Sequence, residues 1–130
     1  MVNDRVGDFI TRLTNAAAIG RFEVAVPHTN HLEAIARKLK ELGYLEAVSV
    51  AGDTKKTLTV LIARTDRGAS KIRGVRRISK PGRRLYVSHR EAHKVKNGMG
   101  ARVVTTPKGI LSDAEARKVR TGGEDLFQIW

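Results

Sequence analysis

The sequence contains no cysteine, and of its 130 residues only three are proline and 5% are aromatic. Without cysteine the chain has no disulfide framework, no thiolate metal site and no cysteine nucleophile. With so few aromatic side chains, the core must be built from Val, Ile, Leu and Ala. No stretch reaches the roughly 20 apolar residues that span a bilayer, and the first residues lack the apolar run of a signal peptide. We therefore expect a cytoplasmic protein with an aliphatic core and no membrane partner.

Acidic residues are also scarce, because 25 Lys and Arg face 13 Asp and Glu, which gives a net charge of +12. Residues 1–66 hold nine basic and eight acidic side chains, whereas residues 67–130 hold 16 and five, so the two parts carry +1 and +11. Glu91 is the only acid among 13 Lys and Arg in residues 67–108. A merely solvated surface mixes both charge signs, so this asymmetry predicts binding to nucleic acid.

Apolar residues at helical spacing predict two helices in the first part of the chain. The first covers residues 4–17, where the apolar positions recur three and four residues apart. The second begins at Asn30 and Glu33, which have the spacing of a capping box, and it ends at Gly43.

Three segments rich in β-forming residues predict strands in the same part. They are residues 22–26, 44–50 and 57–63, and the last two are joined as a hairpin. The first part therefore has the predicted order α-β-α-β-β. The polar residues 66–70 bury almost nothing and predict a domain boundary, with one domain over residues 1–66 and another over residues 67–130.

The second part begins with a basic turn between two β-rich segments, residues 72–78 and 84–88. In Lys80-Pro81-Gly82-Arg83 the proline and glycine stand where a type II turn places them. This turn presents several cations on one tip. A further strand is predicted over residues 101–105.

The end of the chain predicts one short helix and a final strand. Ser112 and Glu115 form a second capping box, which predicts a short helix to about Val119, with Gly122-Gly123 as the residues that end it. Residues 126–130 are apolar apart from Gln128, and Trp130 is expected to pack rather than to stack on a base. The fold class is α+β, with an N-terminal α-β-α-β-β domain and a mainly β C-terminal domain with one short helix.

Residue patterns typical of enzymes are missing from the sequence. Gly98-Met99-Gly100 lacks the further glycines and the following helix of a phosphate loop. The four histidines lie in two pairs, without cysteines or a set of carboxylates beside them. We expect no metal, no cofactor and no catalytic residue, which counts against an RNA-modifying or hydrolytic enzyme.

A turn of small and hydroxyl residues covers residues 105–109, with the sequence Thr-Thr-Pro-Lys-Gly. Hydroxyl groups both donate and accept hydrogen bonds in a small volume, which suits base edges and 2′-hydroxyls. Gly109 permits close approach of the backbone. An alternative is a plain connection whose hydroxyls only satisfy the local backbone, and the spacing alone does not decide between the two.

Segments along the whole chain resemble the small-subunit ribosomal protein eight family, in its bacterial form. They include DFITRLTNA from Asp8, LGY from Leu42, RISKPG from Arg77, NGMGA from Asn97 and GGE from Gly122. The resemblance implies two small domains and direct binding to the central domain of small-subunit ribosomal RNA, at an irregular helix with unpaired adenines. It also implies a place in the small ribosomal subunit beside other ribosomal proteins, including protein five.

The resemblance also implies individual RNA-binding residues. Thr105, Thr106, Lys108 and Gly109 match the family's Ser-Thr-Ser-Lys-Gly turn, which touches bases in the minor groove. Tyr86 would pack against the RNA, and Glu124 would orient the turn. Further residues are expected to contact RNA phosphates or, on the first helix, a second RNA segment: Arg77, Lys80, Arg83, Arg84, Arg12 and Asn15.

Two departures from the family pattern accompany this resemblance. Pro107 replaces the third residue of the turn and removes a hydroxyl and a backbone N–H, so one base contact cannot form in the same way. After Pro27 the chain has His-Thr-Asn-His-Leu-Glu, where the family usually has Ser-Ser-Lys-Leu-Lys.

An alternative function is repression of the protein's own operon, by binding a messenger RNA that mimics the same helix.

Overall fold

The computed structural model of the protein describes residues 4–130, which form three α-helices and eight strands. The helices are α1 (Arg5–Ala18), α2 (Asn30–Glu41) and α3 (Asp113–Val119). The strands are β1 (Glu23–Pro27), β2 (Leu45–Ala51), β3 (Thr57–Ile62), β4 (Val75–Arg77), β5 (Tyr86–Val87), β6 (Ala101–Thr106), β7 (Gly109–Ser112) and β8 (Gly123–Ile129). All strand pairs are antiparallel, and the predicted α+β class is confirmed.

The described residues divide into two compact units, Arg5–Arg73 and Gly74–Trp130, the latter together with Asp4. Residues 67–73 belong to the first unit by their hydrogen bonds, since Lys71 N–H donates to the carbonyl of Ala63 at 2.9 Å. Ile72 in this segment is buried. The boundary predicted after residue 66 stays a prediction. Within residues 4–130 no helix has the length and apolar content needed to cross a membrane.

The N-terminal unit has the predicted element order, α1-β1-α2-β2-β3. Its sheet has the order β1-β3-β2. Alternate residues of β1 and β3 are buried, as period-two patterning requires, whereas in β2 only Leu45 is buried; the two helices contribute apolar stripes to the same core. The largest fully buried side chains of this unit are Phe9, Leu13, Leu32, Ile35, Leu39, Leu58, Val60 and Ile62.

The capping box predicted at Asn30 and Glu33 is wrong. The N-cap of α2 is Thr29, whose extended backbone lets its hydroxyl accept from Leu32 N–H at 3.0 Å. Glu33 does not reach back to the cap, because its carboxylate accepts hydrogen bonds from His28 and Arg37 instead.

The C-terminal unit is a sheet built around β8, which pairs with β4, β5 and β6. Strand β7, which the sequence analysis does not predict, pairs with β6 and continues the sheet. Its four residues have no clear alternating pattern, and the antiparallel pairing with β6 makes them a strand. The largest buried side chains of this unit include Val103, Val104, Phe127 and Ile129.

Two local details of the C-terminal unit differ from the predictions. The turn Lys80-Pro81-Gly82-Arg83 is not type II, because Gly82 does not have the positive φ that this type requires at its third position. Helix α3 begins at the predicted capping box of Ser112 and Glu115 and continues to Val119 as predicted, but its C-cap is Arg120, which adopts φ +55°, and not the Gly122-Gly123 pair. Gly123 therefore lies in the sheet and does not terminate the helix.

The last residue packs within the C-terminal unit. A Cβ added to Gly74 would lie 2.6 Å from the ring of Trp130, so the ring lies directly on the Gly74 backbone. The Lys96 ammonium group lies 4.7 Å from the centroid of the same ring. These contacts agree with the expectation that Trp130 packs.

Candidate nucleic-acid interface

Strand register places three of the predicted RNA-binding residues in one row across the C-terminal sheet. Tyr86 pairs with Glu124, Glu124 with Thr105, and Thr105 with Ile110. Directly paired residues of neighbouring antiparallel strands point to the same face of the sheet. We call these four residues the sheet row. The Tyr86 side chain is 71% exposed, so its ring is available to another molecule.

A buried hydroxyl and an arginine hold the carboxylate of Glu124. The hydroxyl of Ser79 donates to Glu124 Oε2 at 2.6 Å, and Arg84 Nη1 donates to the same oxygen at 3.0 Å. Ser79 is 2% exposed, whereas the Arg84 side chain is about half exposed. Ser79 belongs to the RISKPG segment but is not predicted as a site residue. No spacing rule links it to Glu124, 45 residues away.

Two glycines allow the strands around the sheet row to approach closely. A Cβ on Gly123 would overlap the carbonyl oxygen of Thr105, and a Cβ on Gly122 would overlap that of Val87. Any larger residue at either position would force neighbouring strands apart. Gly122 and Gly123 therefore set the backbone spacing on which the row depends.

The hydroxyl-rich turn is the tip of the β6–β7 hairpin, with Thr106 paired to Gly109. The hydroxyl of Thr106 donates to the Gly109 carbonyl at 2.8 Å and accepts from Lys108 N–H at 3.1 Å. Gly109 has φ +109°, which only glycine adopts readily. The Thr106 hydroxyl thus stabilises the turn locally, and its base contact stays a prediction.

Thr105 differs from Thr106 in its surroundings. Its side-chain oxygen is buried and has no hydrogen-bond partner among the described residues. At the tip, Pro107 and Lys108 are exposed, and the ammonium group of Lys108 extends the positive charge of the unit to the end of the hairpin.

The basic turn, residues 80–83, precedes β5 in the chain. Lys80 and Arg83 close it with two reciprocal backbone hydrogen bonds of 3.1 and 3.0 Å. Both side chains are exposed, as is Arg84 next to them. Three exposed cations therefore precede Tyr86 in the chain, and one of them, Arg84, contacts Glu124 of the sheet row.

Arg77 does not belong to this exposed group. Its guanidinium donates to both carboxylate oxygens of Asp4, with a 2.7 Å contact from Nη2, and its Nε donates to the carbonyl of Ser79 at 2.9 Å. The side chain is 18% exposed. In this structure Arg77 therefore holds the backbone beside the site, and its predicted phosphate contact stays a prediction.

Arg12 and Asn15 lie on the exposed side of α1, in the N-terminal unit. Arg12 donates to the carbonyl of Ala25 at 2.9 Å and forms an ion pair with Asp8 at 3.2 Å. It also borders a groove of about 570 Å³ whose lining includes Lys55 and Lys56.

Two carboxyl groups have shifted pKa values. Hydrogen bonds from His28 and then Arg37 lower the pKa of Glu33 below its usual 4.5, and the two contacts measure 2.8 and 2.9 Å. Burial raises the pKa of Asp125, and the nearby Arg102 guanidinium offsets this only in part. Among residues 4–130 no group of three or more His, Asp or Glu is arranged to hold a metal ion.

Comparison with known proteins finds similarity over essentially the whole chain. A family model described as Ribosomal protein S8 matches residues 4–130. The small ribosomal subunit protein uS8 of Persephonella marina is 42% identical over 136 residues, which cover 100% of both chains. The protein of the same name from Chloroflexus aurantiacus is 40% identical over 131 residues, covering 99% of this chain and 98% of the relative.

Proposed function

The chain belongs to the ribosomal protein S8 family, and from that premise we propose that it binds the central domain of small-subunit ribosomal RNA through its C-terminal unit. Members of this family are structural proteins of the small ribosomal subunit, not enzymes, and the chain has the same role. The proposed RNA target is an irregular helix with unpaired adenines. Binding there would stabilise this part of the subunit during assembly.

The sheet row is the observation that carries this proposal. An exposed aromatic ring, a fixed carboxylate and a hydroxyl-rich hairpin are separated along the sequence but are neighbours on one sheet. Aromatic rings stack on unpaired bases, and single-stranded or irregular RNA is where proteins read bases. Regular duplex RNA offers no unpaired base to Tyr86, so the row suits an irregular helix better.

Affinity and specificity come from different residues in this proposal. Lys80, Arg83 and Arg84 neutralise phosphates, which contributes affinity without sequence information. Tyr86 and the Thr106–Gly109 hairpin tip recognise the irregular shape. The Glu124 carboxylate accepts hydrogen bonds from the Ser79 hydroxyl and from Arg84, and these contacts fix its position.

The N-terminal unit supplies a second, weaker contact in the proposal. Arg12 and Asn15 on α1, with Lys55 and Lys56 on the lining of the same groove, give this unit a basic surface. That surface would meet another RNA segment of the subunit. Neighbouring small-subunit proteins, including protein five, are the proposed protein partners.

The experiment that tests the proposal is a binding titration of the purified protein at several salt concentrations. The RNAs are the short central-domain helix and the same helix with its unpaired adenines deleted. If 6–10 phosphates are contacted, affinity should fall about 10³- to 10⁵-fold between 50 and 200 mM salt, as calibrated on duplex DNA. The intact helix should bind more tightly than the deleted one at every salt concentration. Equal binding to both would contradict the proposal.

The same titration addresses the messenger RNA hypothesis. A messenger segment folded like the ribosomal helix would use the same residues, so it should compete with that helix and lose affinity in the same variants. Competition would support repression by the protein. A messenger segment that binds without competing would rule out a shared site.

A further inference from the structure

We propose that Ser79 is a positioning residue for RNA recognition, because its buried hydroxyl holds both Glu124 and the start of β5 in place. This inference rests on the proposed function. It assigns a role to a residue that makes no contact with RNA itself, since only 2% of Ser79 is exposed.

One oxygen atom joins two parts of the site. The Ser79 hydroxyl donates to Glu124 Oε2 at 2.6 Å and accepts from Leu85 N–H at 3.2 Å. Leu85 immediately precedes Tyr86, the exposed ring of the sheet row. Glu124 is the direct pairing partner of that same tyrosine on β8. Ser79 therefore fixes the backbone that carries the ring and also the carboxylate beside the ring.

The backbone of Ser79 is itself held on both sides. Its N–H donates to the carbonyl of Asp125 at 3.0 Å, and its carbonyl accepts from Arg77 Nε at 2.9 Å. Because this backbone is fixed and the hydroxyl has two hydrogen-bond partners, the Ser79 hydroxyl is held in one position. It can therefore orient Glu124 with little loss of entropy on binding.

The other group that holds Glu124 is less rigid. Arg84 is half exposed, and ion pairs at exposed positions are weak and screened by salt. If the Ser79 hydroxyl were removed, the carboxylate would depend more on this arginine and would lose its fixed position. Loss of the fixed carboxylate and of the fixed ring position would then both reduce recognition.

The test compares Ser79→Ala with Ser49→Ala, using the intact and adenine-deleted helices. Ser49 is an exposed serine in the N-terminal unit whose hydroxyl makes only a 3.5 Å contact with the Thr59 carbonyl. A hydrogen bond to a charged group contributes enough for Ser79→Ala to weaken binding to the intact helix about tenfold. The salt dependence should not change, because no phosphate contact is lost. Ser49→Ala should bind like the unmodified protein.

A double-mutant cycle shows whether Ser79 acts through Glu124. If it does, the pair Ser79→Ala and Glu124→Ala together should lose little more affinity than Glu124→Ala alone. If the two losses multiply, Ser79 does not act through Glu124, and the positioning of the carboxylate by Ser79 is refuted.

A second pair of variants covers the case in which Ser79→Ala does not fold. Threonine and valine have nearly the same shape, and only threonine keeps the hydroxyl. Ser79→Thr should therefore discriminate between the two helices better than Ser79→Val, and equal behaviour would overturn the inference.

If the unmodified protein does not distinguish the helices, the proposed function fails first. If it does and Ser79→Ala matches Ser49→Ala, only the role of Ser79 is refuted.

Discussion

Replacement of Arg102 alone should destabilise the C-terminal unit severely, because Arg102 forms a buried ion pair with Asp125. Replacement of both residues by apolar residues should not. Asp125 is 4% exposed, and its carboxylate accepts a hydrogen bond from Arg102 Nη1. Asp125 Oδ1 and Arg102 Nε have no hydrogen-bond partner among the described residues, so the pair is only partly satisfied. Burial raises the pKa of Asp125, which shows that the desolvation of this carboxylate outweighs its attraction to the arginine.

Arg102→Met leaves the buried carboxylate without its counter-ion. Breaking a buried pair in this way costs about 3–5 kcal/mol, which is a large part of the roughly 5–15 kcal/mol that stabilises a domain. The double variant Arg102→Met with Asp125→Leu removes both charges, and its free energy of unfolding should lie within about 1 kcal/mol of the unmodified protein. The assay is urea unfolding followed by the fluorescence of Trp130, the one tryptophan, which lies in the C-terminal unit.

The pH dependence gives an independent check. In Arg102→Met the pKa of the folded Asp125 carboxyl should lie further above its unfolded value of 3.8. The folded state then binds a proton that the unfolded state does not, so the stability of this variant should rise as pH falls from 7 toward 5. A cost below 1 kcal/mol at pH 7, or stability that falls with pH in that range, would refute the reasoning.

Three further predictions concern the sheet row, the strand spacing and the N-terminal unit. Tyr86→Ala should weaken binding to the irregular helix about 5- to 150-fold with an unchanged salt dependence, because a base–aromatic stack is worth about 1–3 kcal/mol. Tyr86→Phe keeps the ring and should therefore keep most of the affinity. Equal losses of affinity in both variants would argue against stacking. Gly123→Ala should lower the free energy of unfolding by about 1–3 kcal/mol or more, through the clash with the Thr105 carbonyl. Gly82→Ala is the matched control, because nothing lies within 4 Å of a Cβ there, and it should leave the midpoint of urea unfolding unchanged. Glu33 has a lowered pKa, so it contributes stability above pH 4.5 that is lost as the pH falls through its folded pKa. The melting temperature of the unmodified protein should therefore fall more steeply below pH 4.5 than that of Glu33→Gln, and parallel curves would show that these hydrogen bonds add no stability.

Patterns within short segments were enough to predict most elements of the fold. The apolar spacing in residues 4–17, the alternation before Pro27 and the capping box at Ser112 all depend on neighbours within a few residues. The charge asymmetry and the family motifs likewise predict RNA binding from the sequence alone. The local rule failed at the predicted capping box of α2, because the Glu33 carboxylate binds His28 instead of the helix cap.

The arrangement of the candidate site depended on tertiary structure. Strand β7 exists because it pairs with β6, and the Thr106 hydroxyl serves the turn that this pairing creates. The contact between Ser79 and Glu124 joins residues 45 positions apart. Local sequence patterns encode helices and turns because the interacting groups lie within one or two turns of chain. Register between distant strands, and the buried hydrogen bonds that follow from it, are decided only when the whole sheet packs.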